Sequence, residues 1–284
     1  AMDAAVSDDM DILNLSLGGV ALYAPNDRGL TCSDNPAAIC DPLAEAVRTA
    51  TEQFGMLIVI AAGNEGDRGN VAPTLNTIAS PGTAPAAISV GATTNSRQLS
   101  STLRAGSGAP SRIQSAPALY GNGPRRALAA ARIRSVENVG DDGLACAPLP
   151  EGSLAGVVAL IRRGTCDFEV KVNYAAAAGA AAVVVYNRAG SEEPITMTGL
   201  GDAAIPSVMV GHTAGLDLRA YSSTANATVA LDPQLVARST TADRAAGFSS
   251  RGPSIDGAVK PDLVAPGVAL YSATQNSDPN GAEY

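Results

Sequence analysis

From Met56 to Ala62 the chain reads MLIVIAA, an apolar run with no polar interruption. A strand with that pattern needs cover on both faces, which is the condition of an inner strand of a parallel sheet. The residues before it supply a cover. Asp41-Pro42 combines a helix N-cap with proline at the first helical position. Leu43, Ala46, Val47, Ala50 and Phe54 then recur on one helical face, and Gly55 ends the segment. Earlier still, Asp11 to Leu17 alternates before Gly18-Gly19, as a buried strand ending in an abrupt turn does. Strand, helix and strand in that order make a parallel unit with a right-handed crossover. Ala86 to Ala92 (AAISVGA) supplies another short strand.

Near Gly106 the text changes character. Residues 104–135 are rich in Ala, Pro, Gly and Ser with scattered Arg, and they show no clean period. Then come a strand at Gly156–Ile161, a helix capped by Asp167 and closed at Gly179, and strands at Ala181–Tyr186 and Ile205–Val210. From Ala245 onward the style of the first unit returns. At 284 residues the chain is too long for one average domain. The simplest organisation is one domain inserted into another, with residues 1–105 and 241–284 forming the outer unit and 106–240 the insert. The expected fold class is α/β: a partial parallel sheet interrupted by a second, β-rich α/β unit. With no Trp and only 4% aromatic residues, the interior must be built from Ala, Val, Leu and Ile.

Several function classes are disfavoured at once. A net charge of -8 would repel nucleic-acid phosphates. No apolar run reaches the ~20 residues of a membrane-spanning helix; the longest candidate, Ala175–Tyr186, is interrupted by Gly179. The neighbourhood of Ala1 does not read as a signal peptide, and the segment reads as truncated at both ends. The cysteines fall into two local pairs, Cys32 with Cys40 and Cys146 with Cys166. Sequence alone leaves every pairing open, and buried free thiols are the other reading. Disulfides would place the protein outside the cytosol. The absence of any CxxC spacing argues against zinc. Gly63, Gly66 and Gly69 recur every third residue, which is not the dinucleotide fingerprint. Asp8, Asp9 and Asp11 read as a solvated acidic face, so no metal site or cofactor is expected.

Three segments of the outer unit carry chemistry. In Asn14-Leu-Ser-Leu-Gly-Gly19, glycines at a strand end remove side chains where another backbone can approach. In Ile60-Ala-Ala-Gly-Asn-Glu-Gly66, a buried strand delivers Asn64 to the carboxyl edge of a parallel sheet, where ligands of open α/β folds bind. An amide held there can donate a hydrogen bond to a developing oxyanion. The third segment is Phe248-Ser-Ser-Arg-Gly-Pro253, followed by Lys260-Pro-Asp-Leu-Val-Ala-Pro-Gly267. In this order, with SPGTAPAAISVGAT between the second and third, the segments resemble the subtilisin-like serine proteases over residues 10–100 and 245–275. The insert resembles a protease-associated (PA) domain, on GVVALIRRGTCDFEVKVNYAAAAGAAAVVVYN (156–187) and IPSVMVG (205–211).

The resemblance implies roles residue by residue. Asn64 would be the oxyanion donor. Ser16, Leu17 and Gly18 would pair with an extended substrate as an added strand. Ala61, Ala62 and Gly63 would line the wall of the pocket for the residue before the scissile bond, which points to a large or apolar side chain there. Cys146 and Cys166 would form a disulfide of the insert. Family enzymes cleave peptide bonds with an Asp, a His and a Ser in that chain order. No Asp-Thr/Ser-Gly, His-Gly-Thr-His or Gly-Thr-Ser-Met motif occurs here, so the triad is expected outside this chain and the chain alone is expected to be inactive. The sole histidine, His212, follows the IPSVMVG strand and is expected in a partly exposed loop. Calcium is common in the family, but no carboxylate cluster here matches a calcium site. The expected partner is a protein or peptide substrate, with the PA-like unit engaging substrate or a partner protein. The parent is expected to be a secreted endopeptidase. The alternative is a non-catalytic protein- or peptide-binding module, which would have no need of Asn64.

Overall fold

The computed structural model describes residues 2–22, 27–29, 40–68 and 74–270. In chain order these form α1 (Met2–Ser7), β1 (Ile12–Leu15), α2 (Pro42–Phe54), β2 (Leu57–Ala61) and β3 (Ile88–Thr93). Next come β4 (Arg97–Ala105), α3 (Ser111–Gln114), β5 (Ala116–Tyr120), β6 (Leu128–Ser135), β7 (Val158–Arg162), α4 (Phe168–Ala177), β8 (Ala182–Tyr186), β9 (Ser207–Val210), α5 (His212–Ser222) and β10 (Thr228–Ser239). The last is β11 (Leu263–Pro266). The fold is mixed α/β. A parallel sheet runs in the order β1-β2-β3-β11, and the other strands close into a barrel, β10-β4-β5-β9-β8-β7-β6.

Helix α2 covers one face of the sheet. Asp41 caps it, its Oδ1 accepting the amides of Leu43 and Ala44 at 2.8 and 3.3 Å. Gly55 ends it in the left-handed region, φ 70°, returning its N–H to the Thr51 carbonyl at 3.1 Å. The buried face is Ala44, Val47 and Ala50, packed with Leu15, Ile58 and Ile60. Leu43 and Phe54, expected on that face, sit at the two ends of the helix and are 45% and 60% exposed. Small residues at the contact let the helix axis approach the sheet closely, and the large side chains fall outside it.

The barrel unit has apolar packing on both sides of its parallel strands. Val158, Leu160, Val184 and Val208 face a core shared with Leu103, Ile133 and Leu218. Their neighbours Ala159, Ile161, Val183, Val185 and Met209 face a second core, against Val172 and Ala175 of α4. Two-sided burial is why β7 and β8 read as unbroken apolar runs. Arg97–Ala105, assigned from sequence to the first unit, is a barrel strand: β4 pairs antiparallel with β10 from Ala105–Val229 to Arg97–Ser239. The chain therefore enters the barrel along β4 and leaves along its partner, so the change of unit falls between Thr93 and Arg97. Hydroxyl side chains hid this strand. Ser100 and Thr102 are buried, and Arg238 of β10 donates to both at 3.0 and 2.8 Å. Residues 104–135, without a visible period, contain α3, β5 and β6.

Cys146 and Cys166 form a disulfide with Cα atoms 5.7 Å apart. The other expected pair includes Cys32, which lies outside the described residues. Beside the disulfide, the fully buried Lys171 donates from Nζ to the Leu144 carbonyl at 2.5 Å. Burial pushes this ammonium down to about 8, against the opposing pull of Asp141 and Asp142. An unfolded lysine titrates near ~10.4. Between these values the unfolded chain holds a proton that the folded chain has released, so stability rises with pH across that window. The full gain is about 3 kcal/mol. In denaturant titrations, wild type should gain that much on Lys171→Met between about pH 7.5 and 10.5. A difference that stays constant with pH would mean that the lysine titrates normally.

Candidate functional site

The three sequence segments converge at the carboxyl end of β2. Past Leu15, the residues Ser16, Leu17 and Gly18 are exposed, and Gly19 exchanges a pair of backbone hydrogen bonds with Ser80, each 2.9 Å. A Cβ at Gly18 would lie 3.1 Å from the Ser80 carbonyl and 3.2 Å from Ala79 Cβ, so the bare backbone is what lets the two strands approach. On the other side, the Ala79 amide donates to the Ala62 carbonyl at 2.8 Å. Residues 79–80 therefore tie Gly18-Gly19 to Ala62-Gly63. Ser80 is itself fastened to the α2 cap, its hydroxyl donating to Asp41 Oδ2.

Gly63 adopts φ 110°, and a Cβ there would lie 2.7 Å from Ser250 Oγ and 2.8 Å from Ala79 Cβ. Both backbone freedom and space demand glycine. Ser250, only 2% exposed, holds the loop from beneath. Its amide donates to the Gly63 carbonyl at 2.9 Å, and its hydroxyl accepts the Glu65 amide at 3.1 Å. Asn64, between these two anchored residues, is exposed, as is Ala61, whereas Ala62 is buried. The Gly66 amide donates to Phe248 O at 2.9 Å. The last segment is anchored separately. Lys260 Nζ donates to Ala87 O at 2.8 Å and Asp262 Oδ2 at 2.7 Å, and the Ser89 amide reaches the same carboxylate at 2.6 Å. Burial alone would raise the Asp262 pKa; these hydrogen bonds outweigh it and hold the group below its ordinary value.

Two groups at the site escaped the sequence reading. Ser250 stood in a quoted motif, but nothing in that motif disclosed its contact with Gly63. Asp67, its side chain 1% exposed, meets Arg163 and Arg188 of the barrel unit, which lie too far along the chain for local pattern to pair them. His212 is not in a loop. It opens α5, its Nδ1 3.0 Å from the Asn187 carbonyl, outside the Asn64 loop. Among the described residues, no group of three or more His, Cys, Asp or Glu side chains is arranged to hold a metal ion, and no helix is long and apolar enough to cross a membrane.

A parallel sheet whose carboxyl edge carries a glycine-anchored asparagine loop makes this an α/β protein. The chain belongs to the subtilase family, whose Peptidase_S8 model matches residues 1–284. It is 29% identical over 298 residues to Subtilisin-like protease SBT1.2 of Arabidopsis thaliana, covering 100% of this chain and 34% of that protein. It is 30% identical over 284 residues to Minor extracellular protease Vpr of Bacillus subtilis (strain 168), covering 98% of this chain and 30% of that protein. The chain thus spans about a third of the length of these relatives. A shorter match, 44% identical over 64 residues, joins 22% of this chain to 15% of E3 ubiquitin-protein ligase RNF130 of Rattus norvegicus.

Proposed function

We propose that this chain supplies the substrate strand and oxyanion donor of a subtilisin-like serine endopeptidase, interrupted by a PA domain that comprises the barrel unit. In this reading, Ser16, Leu17 and Gly18 add the substrate as a strand, and Ala61, Ala62 and Gly63 form the wall beside the residue preceding the cleaved bond. Asn64 donates its side-chain amide to the tetrahedral intermediate. The observation that carries the reading is the clamp of Ser250 on Gly63 and Glu65. It fixes the backbone on both sides of an exposed Asn64, as a preorganised donor requires.

The nucleophile, its base and the orienting carboxylate come from outside these residues, so the 284-residue chain alone is expected to leave a fluorogenic peptide uncleaved. In the protease that contains it, Asn64→Ala is expected to lower kcat by ~10²–10³ with KM little changed. That range was measured on subtilisin, a member of the same family. An unchanged kcat in a folded variant would remove Asn64 from the mechanism. The Cys146–Cys166 disulfide and the extracellular relative favour a location outside the cytosol.

A second reading, a non-catalytic protein- or peptide-binding module built on the PA-like unit, draws on the short match to part of a ubiquitin ligase. Turnover of the same peptide by the containing protein, abolished by a serine-directed phosphonate, decides for the protease.

A further inference from the structure

Where the loop after Asn64 meets the barrel unit, the fold leaves a cavity of about 680 Å³. Its wall is rich in charge and unbalanced. Arg68, Arg162, Arg163 and Arg188 line it against two carboxylates, Asp67 and Asp167. Arg68 is matched by Glu65 at 2.5 Å, and Arg162 donates to the Asp142 carbonyl at 3.3 Å. Asp67 is divided between two cations, 3.6 Å from Arg163 and 3.4 Å from Arg188. It also accepts the Ser191 hydroxyl at 2.8 Å. One carboxylate between two guanidiniums leaves a full positive charge over.

The Arg163 guanidinium is also held in place, and the Arg188 backbone is anchored beside it. Arg163 donates to Asn187 Oδ1 at 2.8 Å and lies 6.0 Å above the centre of the Phe168 ring. The same Asn187 oxygen accepts the Arg188 amide at 2.9 Å. The two side chains are only 16% and 26% exposed. Burial, then the charge of Arg188, lowers the pKa of Arg163 against the opposing pull of Asp67.

Two planar forks, that of Arg163 pre-oriented, with surplus positive charge match a carboxylate, which they can grip through paired N–H donors. The volume exceeds what a small inorganic anion fills and lies in the range of sites for larger ligands. We propose that this cavity, whose lining does not include Asn64, binds a carboxylate of an acidic peptide through Arg163 and Arg188. The carboxylate can be a Glu or Asp side chain or a free C-terminus.

The test is fluorescence anisotropy of the full chain with three labelled peptides of equal length. One carries Glu residues and an amidated C-terminus, one is neutral with a free C-terminus, and one is neutral and amidated. At least one carboxylate peptide should bind, at least tenfold more tightly than the neutral amidated one, and added salt should weaken it. Arg188→Gln should weaken that binding about tenfold. Equal binding of all three peptides, binding of none, or unchanged affinity in a folded Arg188→Gln protein overturns the proposal. Should Arg188→Gln not fold, the three peptides on the wild-type chain decide alone. No turnover is measured, so the result stands whatever the role of Asn64.

Discussion

Replacing Gly66 by alanine is expected to destabilise the chain by about 4 kcal/mol and to loosen the loop that carries Asn64. Gly66 is buried between two backbone partners, donating to Phe248 O and accepting from the Thr74 amide, each at 2.9 Å. An added Cβ would run into the Ser249 carbonyl oxygen and come within 3.0 Å of the Gly247 carbonyl. These are backbone atoms, so no side-chain rotation relieves the clash; the segment after Gly63 and the segment before Arg251 must part. Parting them breaks the Ser250 clamp on Gly63 and Glu65 along with the Gly66 bond. The loss is then about 1 kcal/mol for each hydrogen bond plus a penalty for overpacking. Gly55→Ala is the control. Gly55 has φ 70° but nothing within 4 Å of an added Cβ, so that change brings backbone strain alone, about 1 kcal/mol. Denaturant unfolding gives both values, and amide exchange at Glu65 and Ser250 should speed up only in Gly66→Ala. Equal losses at the two glycines would show that the close approach of the two motifs contributes nothing.

How much was legible before the fold was known depended on how each element is covered. β2, β7 and β8 have apolar neighbours on both faces or lie within a parallel sheet, and that condition writes itself into sequence as an unbroken run. The ends of α2 were legible because Asp41 and Gly55 perform local chemistry. The barrel's closure was not. β4 buries hydroxyls, β6 alternates with exposed Arg132 and half-buried Arg134, and the pairing of β10 shifts register between Asp232 and Val236. Helix α5 was missed altogether, since the sequence reading placed His212 in a loop and assigned no helix after it. It is there because its face is pressed onto Tyr186, where a Cβ would overlap the ring. The residues proposed for the site were found through motifs whose meaning came from family resemblance. Their three-dimensional support, Ser250 beneath Gly63 and Asp41 behind Ser80, depends on long-range contacts that no local pattern encodes.

Asp67→Ala is expected to destabilise the chain by about 3 kcal/mol, and its effect on the cavity should run the other way. The substitution leaves Arg163 and Arg188 facing each other with no carboxylate between them, and leaves the Ser191 hydroxyl without its acceptor. Breaking a buried ion pair by removing one partner typically costs about 3–5 kcal/mol. The lower end applies here because both arginines keep some contact with water. The loss should fall on the junction. Asp67 belongs to the outer unit and its three partners to the barrel, whereas the barrel's two cores contain no residue of the parallel sheet. Scanning calorimetry should therefore show the sheet melting earlier than in wild type, with the barrel transition little moved. The two arginines, relieved of their shared carboxylate, should grip a peptide carboxylate several-fold more tightly at temperatures where the variant is folded. A salt bridge with a purely architectural role predicts lower stability with no gain in affinity. Lower stability together with tighter binding would mean that Asp67 occupies, in the free protein, the place a ligand's carboxylate takes.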